Sequence, residues 1–335
     1  MAFQSCTSTP DLFDSFLASP PKNEVLRQLK TLIDWGALRQ TVAPAYKWGG
    51  PGAEGYDPVL LIKMLLLQRL YQISDPAVVE EAADRLSFRA FLDLRASDTV
   101  PDDTTLVKFR GRLRNYELFD VVVAAIEQQL AAKGYAVREG AIKLVDATLI
   151  RAAVNPPRTH REVIEEAEGH GRIVVQTPAL DEDADWGGKK NKMVYGYKLH
   201  MAQDRATGLI ACHAVTPASV NDTNEFESLL AGDEAEVLAD KGYDSRPRRK
   251  AMEKRGIKAS IMKKAARGKP LSAWWTGRNK SIGRVRGFIE GGFATLKRYL
   301  GCGRARYRGL DRVYEQLTWG IVMFNLRRVC ALARA

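Results

Sequence analysis

The segment Arg284–Arg308, RVRGFIEGGFATLKRYLGCGRARYR, gathers residue types that could do chemistry. Arg286, Glu290 and Lys297 are spaced i, i+4 and i+11. At about 100° per residue they fall within about 60° of one another, on one face of an α-helix. Phe288, Ile289, Phe293 and Leu296 supply apolar contacts elsewhere around it. One carboxylate is thus held among cations, and the turn that follows adds Arg304, Arg306 and Arg308. An acid in this setting suits a metal ion held beside a phosphodiester backbone. Taken alone, the same spacing also suits a solvated helix with i, i+4 ion pairs.

Two further acids stand where apolar strands end. Asp146 lies near the end of Ala141–Leu149 (AIKLVDATL), and Asp240 closes Glu236–Asp240 (EVLAD). A carboxylate there is unfavourable unless it has a partner. Three carboxylates from distant parts of the chain can converge at one edge of a sheet and hold two divalent cations. Mg²⁺ takes oxygen ligands and keeps room for water and phosphate. Two such ions about 3.5–4 Å apart activate a water or a 3′-hydroxyl and stabilise the leaving oxygen. No histidine or cysteine is needed, and the sequence offers no nucleophile paired with a base. Asp244 sits past the strand and reads as a turn residue. Lys198 and His200, two apart in a strand, project to one face, His213 alternates with packed neighbours, and Trp274 and Trp275 fall in a basic loop, either to stack on bases or to pack.

The elements that must position these groups change character at Gly134. Residues 1–22 form a polar lead-in arm, and residues 23–135 an all-helical domain. Helical periodicity runs through Asn23–Gly36, Pro58–Tyr71, Asp75–Leu86, Phe88–Leu94, Thr105–Arg112 and Tyr116–Lys133. Asp75, followed by Pro76, is the expected N-cap of the third. The segment DDTTLVKFRGRLR suggests a helix-turn-helix-like reader. From 136 to 335 strands enter: Ala141–Leu149, the hairpin Tyr195–Gln203 with Leu209–Pro217, then Glu236–Asp240 and Ile257–Met262. A polar insertion, 154–192, contains an expected short helix around Glu162–Glu168. Helices are expected at Asn221–Leu230, Arg246–Arg255 and Leu310–Ala333. Strand with Asp, hairpin, helix, strand with Asp, helix, strand, helix with Glu is the order of a ribonuclease-H-like α/β domain, a mixed central sheet flanked by helices.

Charge is unevenly spread over the 335 residues. The net charge is +11, yet 22 of the 51 Lys/Arg and only 4 of the 40 Asp/Glu lie between Lys241 and Arg312. That block carries +18 and the remainder −7. Such segregation points to a polyanion, nucleic acid before membrane. The longest apolar run, near Leu60–Leu67, is broken by Lys63 and too short to span a bilayer. Four distant cysteines and no basic-then-apolar leader point to a reducing cytoplasm.

With these residues in view, the chain resembles bacterial insertion-sequence transposases of the DDE superfamily, in the IS-five-like branch. The matches are VDAT around Asp146, YGYKLH at 195–200, VLADKGYDS at 237–245, Arg286-x₃-Glu290-x₆-Lys297, and the N-terminal block YDPVLLIKMLLLQRLYQISD. Together they cover roughly residues 55–330. Gly283 departs from a related signature that places tyrosine there. The resemblance implies that Asp146, Asp240 and Glu290 hold two Mg²⁺ ions, with Mn²⁺ able to substitute. It implies that Arg286 and Lys297 touch phosphates near the scissile bond, and Lys198, His200, Lys241, Arg298, Arg304, Arg306 and Arg308 are further expected DNA contacts. The partners implied are double-stranded DNA, as terminal inverted repeats and target, and a second copy in a dimer or larger assembly on DNA. A metal-dependent nuclease without strand transfer and a non-catalytic DNA-binding regulator remain as alternatives.

Overall fold

The computed structural model describes residues 23–46, 55–157, 159–166, 169–176, 180–189, 191–266 and 268–334. The lead-in arm expected over 1–22 lies outside them. The chain divides into two compact units: one runs up to Arg138 and resumes from Trp319, the other is Glu139–Thr318.

The first unit is helical: α1 (Glu24–Leu32), α2 (Trp35–Val42), α3 (Pro58–Tyr71), α4 (Asp75–Asp84), α5 (Leu86–Leu92), α6 (Asp103–Asn115) and α7 (Phe119–Ala132). Its axis is α3, buried on every side from Pro58 to Arg69. That includes Lys63, whose ammonium pairs with Asp93 and lies 4.8 Å from the Trp35 ring centre. Burial pushes the Lys63 ammonium down from its ordinary range. The cap of α4 is Ser74 rather than Asp75: its side chain accepts from the Ala77 amide. Asp75, shifted one place into the helix, is left free to take Arg110, 3.1 Å from its Oδ1.

The second unit is built on a six-stranded mixed sheet: β1 (Ile142–Arg151), β4 (Asp185–Lys189), β5 (Lys192–Asp204), β6 (Ile210–Pro217), β7 (Glu236–Ala239) and β8 (Lys258–Ile261), with β2 (Thr159–Glu166) and β3 (Gly169–Gln176) forming a separate ribbon. The order is β4-β5-β1-β7-β8, with β6 also on β5. β1 is parallel to β7 and antiparallel to β5, and β7 is parallel to β8. Helices α8 (Arg246–Lys254), α9 (Ala273–Tyr299) and α10 (Leu310–Leu332) complete the chain. From Trp319 onward α10 belongs to the helical unit. This is the mixed α/β, ribonuclease-H-like architecture expected.

Four local expectations are corrected. The helix around Glu162–Glu168 is replaced by the β2–β3 ribbon, whose register runs from Thr159↔Gln176 to Glu166↔Gly169 and uses the β-branched Val163, Ile164, Ile173, Val174 and Val175. Asn221–Leu230 is a run of turns. There the Asn221 side chain accepts from the Thr223 amide and hydroxyl, and Arg248 takes the Thr223 carbonyl, diverting groups a helix would use. Trp274 and Trp275 are not in a loop: α9 starts before them, with Ser272 accepting from the Trp275 amide. Asp146 is not near a strand end, since β1 continues to Arg151.

Gly196, in the YGYKLH motif, shows how tightly β5 crosses the end of β1. A Cβ there would stand 2.2 Å from the Ile150 carbonyl oxygen and 2.5 Å from the Ala152 nitrogen.

Candidate active site

The parallel register of β1 and β7 ends at Val145↔Ala239. The next residue in each segment is an aspartate, Asp146 within β1 and Asp240 just past the end of β7, so the two stand side by side where the parallel pairing stops. Side chains alternate along a strand, which puts both on the face shared with the buried Leu144 and Leu238. Helix α9 covers that face. Its buried stripe is Ile282, Arg286, Ile289, Gly292, Phe293 and Leu296. A Cβ on Gly292 would lie 2.7 Å from Gln203 Oε1 and 3.2 Å from Met201 Cε on β5, so the missing side chain sets how closely the helix approaches.

That approach brings Arg286 onto both aspartates. Its Nη2 donates to Asp146 Oδ2 at 2.6 Å, and its Nη1 is 3.7 Å from Asp240 Oδ1. Arg286 as a whole is 8% exposed. Burial still pushes the Asp146 carboxyl up; Arg286 opposes this, and the neighbouring Asp240 adds to it. Glu290, one turn beyond Arg286, is exposed. Among the described residues no three His, Cys, Asp or Glu side chains gather closely enough to hold a metal ion unaided. The donor chemistry nonetheless fits a hard cation: the groups are all carboxylates, and the two aspartates converge on one positive group.

Lys297 is turned inward: its Nζ donates to the Leu149 carbonyl at 2.8 Å, and burial lowers its pKa. Ala147 pairs with His200 and Leu149 with Lys198 across the sheet, so both basic residues lie on the face away from Asp146. His200 is fully buried, with Nε2 3.0 Å from Thr216 Oγ1, and burial lowers its basicity. Lys198 donates to the Val220 carbonyl at 2.6 Å and pairs with Asp222 at 2.7 Å. Neither is presented to a ligand surface here. Arg304 is exposed, yet it donates to the carbonyls of Ala152 and Ala153, stitching the turn after α9 to the end of β1. Arg306 is half-buried, while Lys241, Arg298 and Arg308 are exposed.

Asp244 is a turn residue, as expected: Arg249 Nε donates to it at 2.8 Å and the Lys264 amide at 3.0 Å, and these partners with Lys263 hold its carboxyl low against the effect of burial. His213 is packed, 2.7 Å from Thr318 Oγ1 and stacked on Tyr314. Two supporting contacts have no signal in the spacing of charges. Asn279 pins α9 by accepting from the Lys263 amide and donating to its carbonyl. Tyr243, in the DKGY turn, is buried against Phe226.

A sheet that presents adjacent aspartates to a helix bearing Arg, Glu and Lys is the arrangement of a DDE-type polynucleotidyl transferase. The chain belongs to this transposase family: the family model described as "Transposase DDE domain" matches residues 138–326. A second, described as "Transposase domain (DUF772)", matches residues 14–112. Among solved structures, the cryo-EM structure of the piggyBac transposase synaptic complex with hairpin DNA is similar at a TM-score of 0.45 and 11% identity, over 93% of this chain and 73% of that one. Among the described residues no helix is long and apolar enough to cross a membrane.

Proposed function

We propose that the protein acts in the bacterial cytoplasm on an insertion sequence of the IS-five-like type, cutting DNA at the terminal inverted repeats and joining the freed 3′-OH ends to target DNA. The observation that carries this reading is the convergence of Asp146 and Asp240 on Arg286 at the end of a parallel strand pair. Asp146, Asp240 and Glu290 would hold the divalent cations, Mg²⁺ or in its place Mn²⁺. When bound, two such ions supply activation of the attacking oxygen and stabilisation of the leaving one.

The chain's own residues do the rest. Asp146 lies within β1 and Asp240 directly follows β7, so the β1–β7 register, which runs to Val145↔Ala239, brings them side by side. Arg286 neutralises them and lies where it can pass to a scissile phosphate, with which a guanidinium forms charge-assisted bonds. Lys297 anchors the far end of the site helix to β1. The exposed Lys241 and Arg308, with Arg306, would contact the DNA backbone, and such contacts give affinity and salt dependence without sequence information. The enzyme works as a dimer or larger assembly on double-stranded DNA.

The test is a strand-transfer assay with a pre-cut oligonucleotide bearing the element's end, a supercoiled target plasmid, and Mg²⁺ or EDTA. Joined product that requires the metal and is lost in Glu290→Gln is the expected result. Cleavage without joining would instead identify a nuclease, and binding with no covalent change a regulator.

A further inference from the structure

The outer face of α9 carries a second pattern that the site does not use. Trp274, Gly277, Ser281, Arg284, Phe288, Gly291, Thr295 and Arg298 follow one another at alternating steps of three and four, the spacing of a coiled-coil seam. At about 100° per residue this seam faces away from Arg286 and Glu290. It is open to solvent: Trp274 is 66% exposed, Phe288 41%, and Tyr299 at its end 58%. The two seam glycines are not required by the fold, for a Cβ on Gly277 or Gly291 would meet nothing within 4 Å. Glycine within a helix is unfavourable. Their retention here suits close approach by another body.

The seam matches itself when reversed. Pairing 274 with 298, 277 with 295, 281 with 291 and 284 with 288 gives four kinds of layer, each occurring twice about one midpoint, residue 286. The outer and central layers each set an aromatic ring against an arginine: Trp274 with Arg298, and Phe288 with Arg284. A guanidinium over a ring is attractive. The two layers between set small residues against small ones. In both, the hydroxyl is already bonded within its own helix, Ser281 to the Gly277 carbonyl at 3.3 Å and Thr295 to the Gly291 carbonyl at 2.9 Å. Those layers therefore present little polar demand to a neighbour.

We infer that this face of α9 is a two-fold interface on which a second copy of the chain docks in antiparallel register. Isologous contact requires a patch that is its own complement, and this one is. DNA fits the face less well, because six of its eight positions offer no cation and both hydroxyls are engaged. The site face of α9 stays clear in such a dimer. A single helix pair buries less than the ~1,600 Å² of a standard interface, so the association is concentration-dependent.

Site-directed cross-linking tests the register on the full-length protein. Positions 281 and 291 of one helix are about 15 Å apart, beyond disulfide reach, so a Ser281→Cys/Gly291→Cys double variant can bridge these positions only between copies. The expected result is a covalent dimer in which mass spectrometry finds the peptides carrying 281 and 291 joined, with no dimer through position 281 in Ser281→Cys alone. Gly277→Leu, which meets nothing within its own chain, should leave the melting temperature unchanged or higher and weaken self-association at least tenfold in sedimentation. Self-linking of Ser281→Cys, the absence of the 281–291 bridge, or unchanged association of Gly277→Leu would each overturn the inference. So would a loss of DNA affinity in Gly277→Leu with self-association unchanged, which would assign the face to the duplex.

Discussion

Arg286 Nη2 lies 2.6 Å from Asp146 Oδ2, and the same guanidinium reaches toward Asp240 at 3.7 Å. One cation therefore offsets the repulsion of two carboxylates that the sheet register forces together. Arg286→Met should cost roughly 2–4 kcal/mol at neutral pH, near the range for breaking a buried pair. Mg²⁺ should recover more stability in this variant than in the wild type, since an ion at 100 times its dissociation constant contributes about 2.7 kcal/mol. Denaturant midpoints with and without Mg²⁺ check this. An equal response in both proteins would mean that the guanidinium and the cation do not address the same carboxylates.

Gly292 sets the distance between α9 and β5. Gln203 cannot swing aside freely, because it is buried and its Nε2 donates to the Gly208 carbonyl at 2.9 Å. Gly292→Ala should therefore cost about 1–3 kcal/mol by overpacking and lift Arg286 and Glu290 from the aspartates, lowering cleavage more than DNA affinity. Gly287→Ala, whose Cβ meets nothing, should instead stabilise by about 0.5–1 kcal/mol. Two purified variants and a melting curve separate packing from propensity.

The aspartates were legible because an acid in an apolar run is costly without a purpose, and both runs proved to be neighbouring strands, although β1 continues past Asp146 to Arg151. The length of α9 was not. Tryptophans, glycines and charges before Ile282 carry no helical signal, and what holds them in helix is tertiary, namely Asn279 on the Lys263 backbone and Arg278 on Ser260 at 2.8 Å. Lys198, His200 and Lys297 were legible as polar residues near the site but not as inward-facing ones. Strand alternation gives the side of the sheet for Lys198 and His200 only once the β1–β5 register is known, and Lys297 turns inward only because α9 packs on β1.

That distinction can be measured. Removing a phosphate contact lowers the salt slope of DNA binding by about 1. Lys241→Ala and Arg308→Ala, both at exposed positions, should each do so while leaving the fold intact. Lys297→Met and Lys198→Met should leave the slope unchanged and act through stability, because their ammonium groups are held by Leu149 and by Val220 and Asp222. A slope change in Lys297→Met would mean that it leaves β1 when DNA arrives.

Acid sensitivity should arise at the opposite end of the sheet. Glu234 is buried and accepts from Lys143 Nζ at 2.7 Å and from the amides of Ala231 and Gly232 at 2.7 and 2.9 Å. Burial alone would raise its pKa, but these donors win and hold the carboxyl below its ordinary value. A carboxylate with a depressed folded pKa binds fewer protons folded than unfolded, so its contribution is present above the ordinary glutamate range and is lost as pH falls through the folded value. Melting temperature measured downward from neutral pH should therefore drop across that interval. In Glu234→Gln the drop should be smaller, because the titrating group is gone. The variant should be less stable at neutral pH, by about 3–5 kcal/mol, since Lys143 is left buried without its partner. A Lys143→Met/Glu234→Leu pair should restore much of that loss while keeping the flat profile. An acid profile unchanged in both variants would place the pH sensitivity of this unit elsewhere.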